Sequence, residues 1–501
     1  MERKQVALIV LDGWGYRESD TNNAIREANA PFFNSLWRDY PHATLDASEE
    51  NVGLPSGQIG NSEVGHMTIG AGRVIDTDLV RITKAMNAGE FLKNEAIRSA
   101  FSNTQKNNST LHLVGLASDG GVHSHIEHLY GLIRSAKEFG LTKVVIHAFT
   151  DGRDVLPRSG MDTIRLLENA CENSGDCHIA SITGRLYAMD RDKNWDRTEI
   201  AEGAIFNGTG EIIKDKKPSE AMSEKYENGV FDELLPAMVF LNKDGKPDVV
   251  EKNDSIIFFN FRSDRARQLS ERIVKKVSEL NLCFVTLTEY DEKISSLVAF
   301  PKTRIETTIA TEVSKAGLKQ AHIAETEKYP HATYFLNGGH EEPHAGEEFV
   351  LVPSRKDVLT HDLAPEMKAK EIADEATKRI LSGVDFVFIN FANADMVGHT
   401  GNKPAILKAV ETVDRELGRV IGILKSRGGV AFITADHGNA EQNIDEATGE
   451  RHTAHTLNVV PAIITEAGHT MKNGGLADIA PTILTLLNLP IPAEMTGKKL
   501  I

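Results

Sequence analysis

The sequence predicts an α/β protein built on largely parallel sheets. Short apolar, β-rich runs at residues 6–11, 111–117, 143–149, 178–182, 255–261, 283–287, 384–390, 430–434 and 461–465 read as strands. Amphipathic stretches at 126–139, 161–172, 264–279, 403–425 and 478–487 read as helices, so the two element types alternate along the chain. No internal repeat or low-complexity tract interrupts this alternation.

Composition bounds the class. With 501 residues, 41% hydrophobic and 26% charged, the chain has the balance of a soluble globular enzyme of two or three domains. Its 56 basic against 72 acidic residues give a net charge of −16, which argues against a nucleic-acid or anionic-membrane partner. Three cysteines, Cys171, Cys177 and Cys283, imply no disulfide framework and a reducing compartment. The first apolar run is too short for a signal segment and ends in Asp12, and no stretch approaches the roughly 18 apolar residues of a membrane span. A cytoplasmic, soluble protein is expected.

Taken in order, the predicted strands end in chemistry. Asp12-Gly13 follows the first run directly. Ser62, in Gly60-Asn61-Ser62-Glu63-Val64-Gly65, stands where a loop runs into a helix at Glu63; there it is either a helix cap or an activated nucleophile facing an anion. The run at 111–117 leads into Ser118-Asp119-Gly120-Gly121-Val122-His123-Ser124-His125, in which His123 is a proton donor or a phosphate hydrogen-bond partner. Asp151-Gly152-Arg153-Asp154, Gly184-Arg185, Arg191, and Arg262 with Arg265 stand further along, several of them after apolar runs. Guanidinium groups bind phosphate and carboxylate in bidentate fashion, so this middle segment suits a small dianion, although each arginine also has an acid nearby for a plain surface ion pair.

Late in the chain, Asp395 and His399 come soon after the run at 384–390, and Asp436-His437 follows the run at 430–434. His455 or His452 adds a further imidazole. Ligands of open α/β sheets gather beyond the carboxyl ends of strands, so these acids can converge. Asp395 and His399 are four apart, but Gly398 between them argues against a regular helix there. Mixed oxygen and nitrogen donors suit Mn²⁺, Zn²⁺ or Fe²⁺, and a pair of such ions can clamp the oxygens of a phosphoryl displacement. Lys328 precedes the turn proline Pro330 and alone reads as a solvated lysine. Metal-type residues occupy both chain ends and arginines the middle. The expected organisation is therefore a discontinuous domain of residues 1–76 and 303–501 with 77–302 inserted.

The segments Gly60-Asn61-Ser62-Glu63-Val64-Gly65-His66, Ser118 to His125, Asp151-Gly152-Arg153-Asp154, 324–331 and Thr434-Ala435-Asp436-His437-Gly438-Asn439-Ala440, in this order, resemble the cofactor-independent phosphoglycerate mutases of the alkaline-phosphatase superfamily. The resemblance implies an alkaline-phosphatase-like metal domain from both chain ends and an inserted transferase domain. It implies two Mn²⁺ ions, one on Asp395, His399 and His455, the other on Asp12, Ser62, Asp436 and His437. His123, Arg153, Asp154, Arg185, Arg191, Arg262, Arg265 and Lys328 would grip the substrate, with Ser62, Asp154 and Lys328 catalytic. The implied reaction interconverts 3-phosphoglycerate and 2-phosphoglycerate through a phosphoserine, in a monomeric chain without bisphosphoglycerate. A metal-dependent phosphatase or a phosphopentomutase is the alternative. Ile59, the stretch 74–78 and the stretch 351–360 depart from the family's pattern, none at a matched catalytic position.

Overall fold

The strand Val6–Leu11 is buried along its whole length and has neighbours on both sides. It pairs in parallel with Phe386–Phe391 on one edge and with Val430–Thr434 on the other. Strands covered on both faces select continuous apolar runs over alternating ones, and these three are the plainest runs in the sequence. The computed structural model describes residues 4–172, 174–302 and 304–501. It divides into two units, Met1–Thr77 with Arg304–Ile501, and Asp78–Thr303.

In the first unit an eight-stranded sheet runs in the order Glu347–Val352, Gln320–Glu325, Phe386–Phe391, Val6–Leu11, Val430–Thr434, Val460–Ile464, His42–Asp46 and Gly474–Gly475. Its first five strands are parallel, and Val460–Ile464 runs antiparallel to both of its neighbours. The helices Ala369–Leu381 and Lys403–Ser426 turn apolar residues such as Ile372, Ile380, Val413 and Leu417 into the core. Register then sets what stands at one end of the sheet. Leu11 lies opposite Phe391, and Val10 opposite both Asn390 and Thr434, so the residues just beyond three neighbouring strands emerge along one rim.

The second unit carries its own eight-stranded sheet, ordered Leu297–Val298, Cys283–Thr286, Ser255–Phe258, Leu111–Leu116, Lys143–Thr150, Asp176–Gly184, Met238–Phe240 and Glu211–Ile213. The first six strands are parallel, and helices such as Ile126–Phe139 and Gly160–Glu172 connect them. A polar ladder crosses three strands and reaches Asp254, the residue just before a fourth. His112 Nε2 lies 3.1 Å from Asp254 Oδ2, His112 Nδ1 3.1 Å from His147 Nε2, and His147 Nδ1 2.9 Å from Ser181 Oγ. Each buried polar group thus has a partner, as an interior position demands. Burial, reinforced by the neighbouring His112, holds His147 well below the usual histidine pKa.

The α/β class holds, with differences that have physical causes. The strand read at 255–261 stops at Phe258, because the Phe261 N–H turns to the His123 carbonyl at 2.8 Å. The helix read from 264 starts at Arg267 and frees Asp264 to meet charged neighbours. Around Asp395 the chain does form a helix, Asn393–Gly398, against the expectation drawn from Gly398. That glycine is there for space: a Cβ on it would collide with the side chain of Asn439. Among the described residues no helix is long and apolar enough to cross a membrane.

Candidate functional site

Ser62 opens the helix Ser62–Ala71, but it is not the cap. Asn61 is: its side-chain oxygen accepts the Val64 N–H at 3.1 Å. The Ser62 hydroxyl is therefore released from local bonding and turned inward. Its Oγ lies 2.9 Å from His437 Nε2 and 3.4 Å from Asp12 Oδ1, and it accepts a hydrogen bond from Lys328 Nζ at 2.8 Å.

Two donor sets flank that hydroxyl, each with its ligand atoms within 4.8 Å of one another: Asp395, His399 and His455, and Asp12, Asp436 and His437. In the first, Asp395 Oδ1 lies 3.2 Å from His399 Nε2 and 3.1 Å from His455 Nε2. The Nδ1 atoms of those histidines face the carbonyls of Thr453 and Gly60, both at 2.8 Å. A ring that donates from Nδ1 keeps the Nε2 lone pair free, and both Nε2 atoms point at the carboxylate. In the second set His437 Nε2 lies 3.6 Å from Asp12 Oδ1 and 3.4 Å from Asp436 Oδ2. The His437 and His455 rings stack with centroids 3.7 Å apart, so the sets are neighbours. His452 belongs to neither.

Side chains that sequence reasoning passed over hold these groups. Asn390 donates to Asp12 Oδ2 at 2.9 Å, and Asn439 to Asp395 Oδ1 at 3.1 Å. His66 Nδ1 lies 2.9 Å from the Ser62 carbonyl and 3.3 Å from Asp436 Oδ2. One signal was available: Asn390 is a polar residue inside an otherwise apolar strand.

Electrostatically the rim is overcharged. Asp12, Asp395 and Asp436 are all buried, and the cation among them is Lys328, 2.6 Å from both Asp12 Oδ1 and Asp395 Oδ2. Burial alone would lower the lysine pKa, but Asp12 and Asp395 outweigh it and hold Lys328 above its usual value. Burial, with Asp436 alongside, raises Asp12. Three sequestered carboxylates against one ammonium group leave a deficit of positive charge, and Asp436 Oδ2 lacks a hydrogen-bond partner. A donor set of this kind fits divalent metal ions.

In the second unit the predicted substrate residues gather at the carboxyl ends of its strands. Arg185, buried, donates to Asp151 Oδ1 at 2.5 Å and to Asp154 Oδ2 at 2.6 Å. His123 Nε2 lies 3.7 Å from Asp154 Oδ2, and its Nδ1 3.6 Å from Asp264 Oδ1. Asp264, not singled out beforehand, also pairs with Arg191 at 2.9 Å and Arg262 at 3.1 Å. Arg265 donates to the Met189 carbonyl at 3.1 Å; burial and then the charges of Arg191, Arg185 and Arg153 push its pKa below the usual arginine value. Arg153 is more loosely held, 3.6 Å from Glu233. Burial, then Arg185, lowers His123 to about 4, which leaves it neutral near pH 7.

Residues 82–292 match the family described as BPG-independent PGAM N-terminus, and 226–482 match type I phosphodiesterase / nucleotide pyrophosphatase. A 2,3-bisphosphoglycerate-independent phosphoglycerate mutase of Clostridium botulinum is 49% identical over all of this chain and all of its own. The chain belongs to the 2,3-bisphosphoglycerate-independent phosphoglycerate mutase family. A mutase of Methanosarcina acetivorans is also 49% identical, over all of this chain and 98% of its own, and one of Listeria monocytogenes is 48% identical over the full length of both. Among solved structures, a Leishmania mexicana phosphoglycerate mutase determined at low cobalt concentration superposes with a TM-score of 0.60 at 31% identity, covering 99% of this chain and 98% of that one.

The mutase family's expected metal centre makes a pH prediction. Hydrogen bonding to Asp395 raises His399, and the same carboxylate outweighs burial to raise His455. A raised pKa means protons compete with metal at higher pH, so affinity is full above that pKa and lost as pH falls through it. Calorimetric titration of metal-stripped protein with Mn²⁺ should show affinity falling more than about tenfold from pH 8 to pH 6. Equal affinities at the two values would contradict the histidine ligation.

Proposed function

We propose that this chain interconverts 3-phosphoglycerate and 2-phosphoglycerate through a phosphoserine on Ser62, without bisphosphoglycerate. The observation that carries the reading is the arginine-bearing second unit, nearly all of which matches the mutase amino-terminal family. A phosphatase needs the nucleophile and the metal donors but no second grip on the dephosphorylated product.

Ser62, as the alkoxide, attacks the phosphoryl group; the Oγ–P bond forms and the glycerate O–P bond breaks. Lys328, within 2.8 Å of Oγ, offsets the charge that develops. Asp154 gives its proton to the departing glycerate alkoxide and later takes one from the other hydroxyl. Arg185 and the nearby His123 support this role by holding Asp154 in place, and neutral His123 serves as a hydrogen-bond partner. Arg153, Arg191, Arg262 and Arg265 grip the glycerate carboxylate and phosphate as bidentate donors. Keeping the glycerate bound makes its recapture of the phosphoryl group effectively unimolecular. Divalent cations on Asp395, His399 and His455, and on Asp12, Ser62, Asp436 and His437, would act as Lewis acids and lower the serine hydroxyl pKa. The mixed oxygen and nitrogen donors suit Mn²⁺, Zn²⁺ or Fe²⁺, and the reading takes Mn²⁺ from the family resemblance. The reading takes residues 1–76 with 303–501 as the metal domain, 77–302 as the transferase insert, and the enzyme as a cytoplasmic monomer.

The test is direct. Purified protein given 3-phosphoglycerate and Mn²⁺ should produce 2-phosphoglycerate with no bisphosphoglycerate added and no accumulation of free phosphate. Ser62→Ala should lower turnover by a factor on the order of 10⁴ or more. Phosphate as the main product would favour the phosphatase alternative, and near-normal turnover by the variant would rule out the covalent route.

A further inference from the structure

One buried carboxylate outside both donor sets touches the loops that bear them. Glu441 is fully buried, and among the described residues it has no cationic partner within ion-pair distance. Four donors satisfy it instead. Gly15 N–H reaches Oε2 at 3.1 Å and Asn439 N–H reaches the same oxygen at 2.8 Å, while Asn458 Nδ2 reaches Oε1 at 2.9 Å and the Thr456 hydroxyl also donates to Oε1. Gly15 lies three residues after Asp12, Asn439 two after His437, and Thr456 one after His455. Asn439 in turn donates its side-chain amide to Asp395. The chain also makes room for this carboxylate: a Cβ on Gly15 or on Gly438 would collide with the Glu441 carboxyl group.

We propose that Glu441 is a positioning residue that sets the spacing of both metal-donor sets by clamping three ligand-bearing loops. The inference rests on the metal reading of the first unit but not on the mutase chemistry. Its charge matters as well as its shape. A carboxylate accepts at both oxygens, whereas a glutamine there turns an –NH₂ group toward two donors and loses two of the four bonds. Removing such support for metal ligands costs about 10–100-fold in metal affinity.

The experiment compares Glu441→Gln with Asp414→Asn, each stripped of metal and titrated calorimetrically with Mn²⁺. Asp414 is also a buried acid of this unit, accepting the Phe32 and Phe33 N–H groups at the start of the helix Pro31–Asp39, and among the described residues its hydrogen bonds reach no ligand loop. Glu441→Gln should weaken Mn²⁺ binding about 10–100-fold while Asp414→Asn binds as the parent does. Thr456→Val, which removes one donor and keeps the volume, should shift affinity in the same direction by less, and serves if the glutamine variant does not fold. Parent-like affinity in Glu441→Gln or in Thr456→Val, or equal weakening in Asp414→Asn, would overturn the assignment. The binding readout stands even if the turnover assay fails, so the two readings fail separately.

A second observation is independent of the first unit. Cys171, near the end of the helix Gly160–Glu172, and Cys177, near the start of the strand Asp176–Gly184, have Sγ atoms 2.7 Å apart with no bond between them. Both line an open cavity of about 830 Å³ at the amino ends of the strands, away from Arg185 at the other end of the same strand. We infer that this pair is a reversible oxidation site for low-molecular-weight disulfides of the glutathione class. One cysteine sulfur attacks the small disulfide and expels a thiolate, and the second cysteine displaces the remaining half. Two protein thiols are oxidised to one disulfide, the small disulfide is reduced to two thiols, and two protons leave the protein sulfurs. Intact mass after incubation with oxidised glutathione should fall by about two mass units, and denatured protein should titrate one thiol where the reduced chain has three. Dithiothreitol should reverse both changes, Cys283→Ser should leave them intact and Cys171→Ser should abolish the mass loss. Three titratable thiols after treatment, or a glutathione adduct with no internal bond, would overturn the inference.

Discussion

The first unit's site depends on three buried carboxylates that Lys328 opposes. Isolated buried charge is costly, and Asp12 and Asp395 are tolerated because the fold supplies them with donors, while Asp436 keeps one oxygen without a hydrogen-bond partner. The backbone fixes where they sit. Asp12 N–H bonds to Phe391 O at 3.0 Å and Asp395 N–H to Asp12 O at 3.0 Å, so the ends of neighbouring strands are tied together before any side chain is considered. Lys328 and the Ser62 hydroxyl then settle into the field those acids create.

The second unit solves a different problem with the same architecture. Its strand ends present guanidinium groups in place of carboxylates, and these repel one another unless countered. Asp151, Asp154 and Asp264 do that: Arg185 is locked by two of them, while Arg191 and Arg262 share the third. Donors held in position lose less entropy when they take an anion than freely moving ones do. Asp151 is itself anchored by the Ser118 hydroxyl at 2.6 Å and by the Arg153 and Asp154 N–H groups, so the Asp151-Gly152-Arg153-Asp154 segment is a folded turn ready-made for polar contacts.

How much of this could be read in advance follows from burial and polarity. The central strands were legible because both faces are covered, which leaves an apolar run without interruption. Four strands of the first unit were not, the two-residue Gly474–Gly475 among them. Gln320–Glu325 carries Gln320 and His322 in full burial, each satisfied by a backbone carbonyl, so it reads as polar. Glu347–Val352 and His42–Asp46 alternate in exposure and resemble loop. At the site, acids and imidazoles just after apolar runs announced themselves, since few uses of a buried aspartate compete with ligation or capping. The amides that hold them were harder to see: Asn390 stood out only as a polar residue within an apolar strand, and an asparagine such as Asn61 or Asn439 is too common in turns and caps to single out by type alone. Glu441 was hidden for the same reason, because only the folded loops show that Gly15, Asn439, Thr456 and Asn458 meet at one carboxylate.

The central claim is that one serine hydroxyl stands beside a pair of cation sites built from distant parts of the chain. Anomalous diffraction from crystals grown with Mn²⁺ tests it most directly. The account predicts two peaks, one bounded by Asp395, His399 and His455, the other by Asp12, Asp436 and His437 with Ser62 Oγ in contact. A single peak, or peaks that leave Ser62 without a metal neighbour, would contradict it.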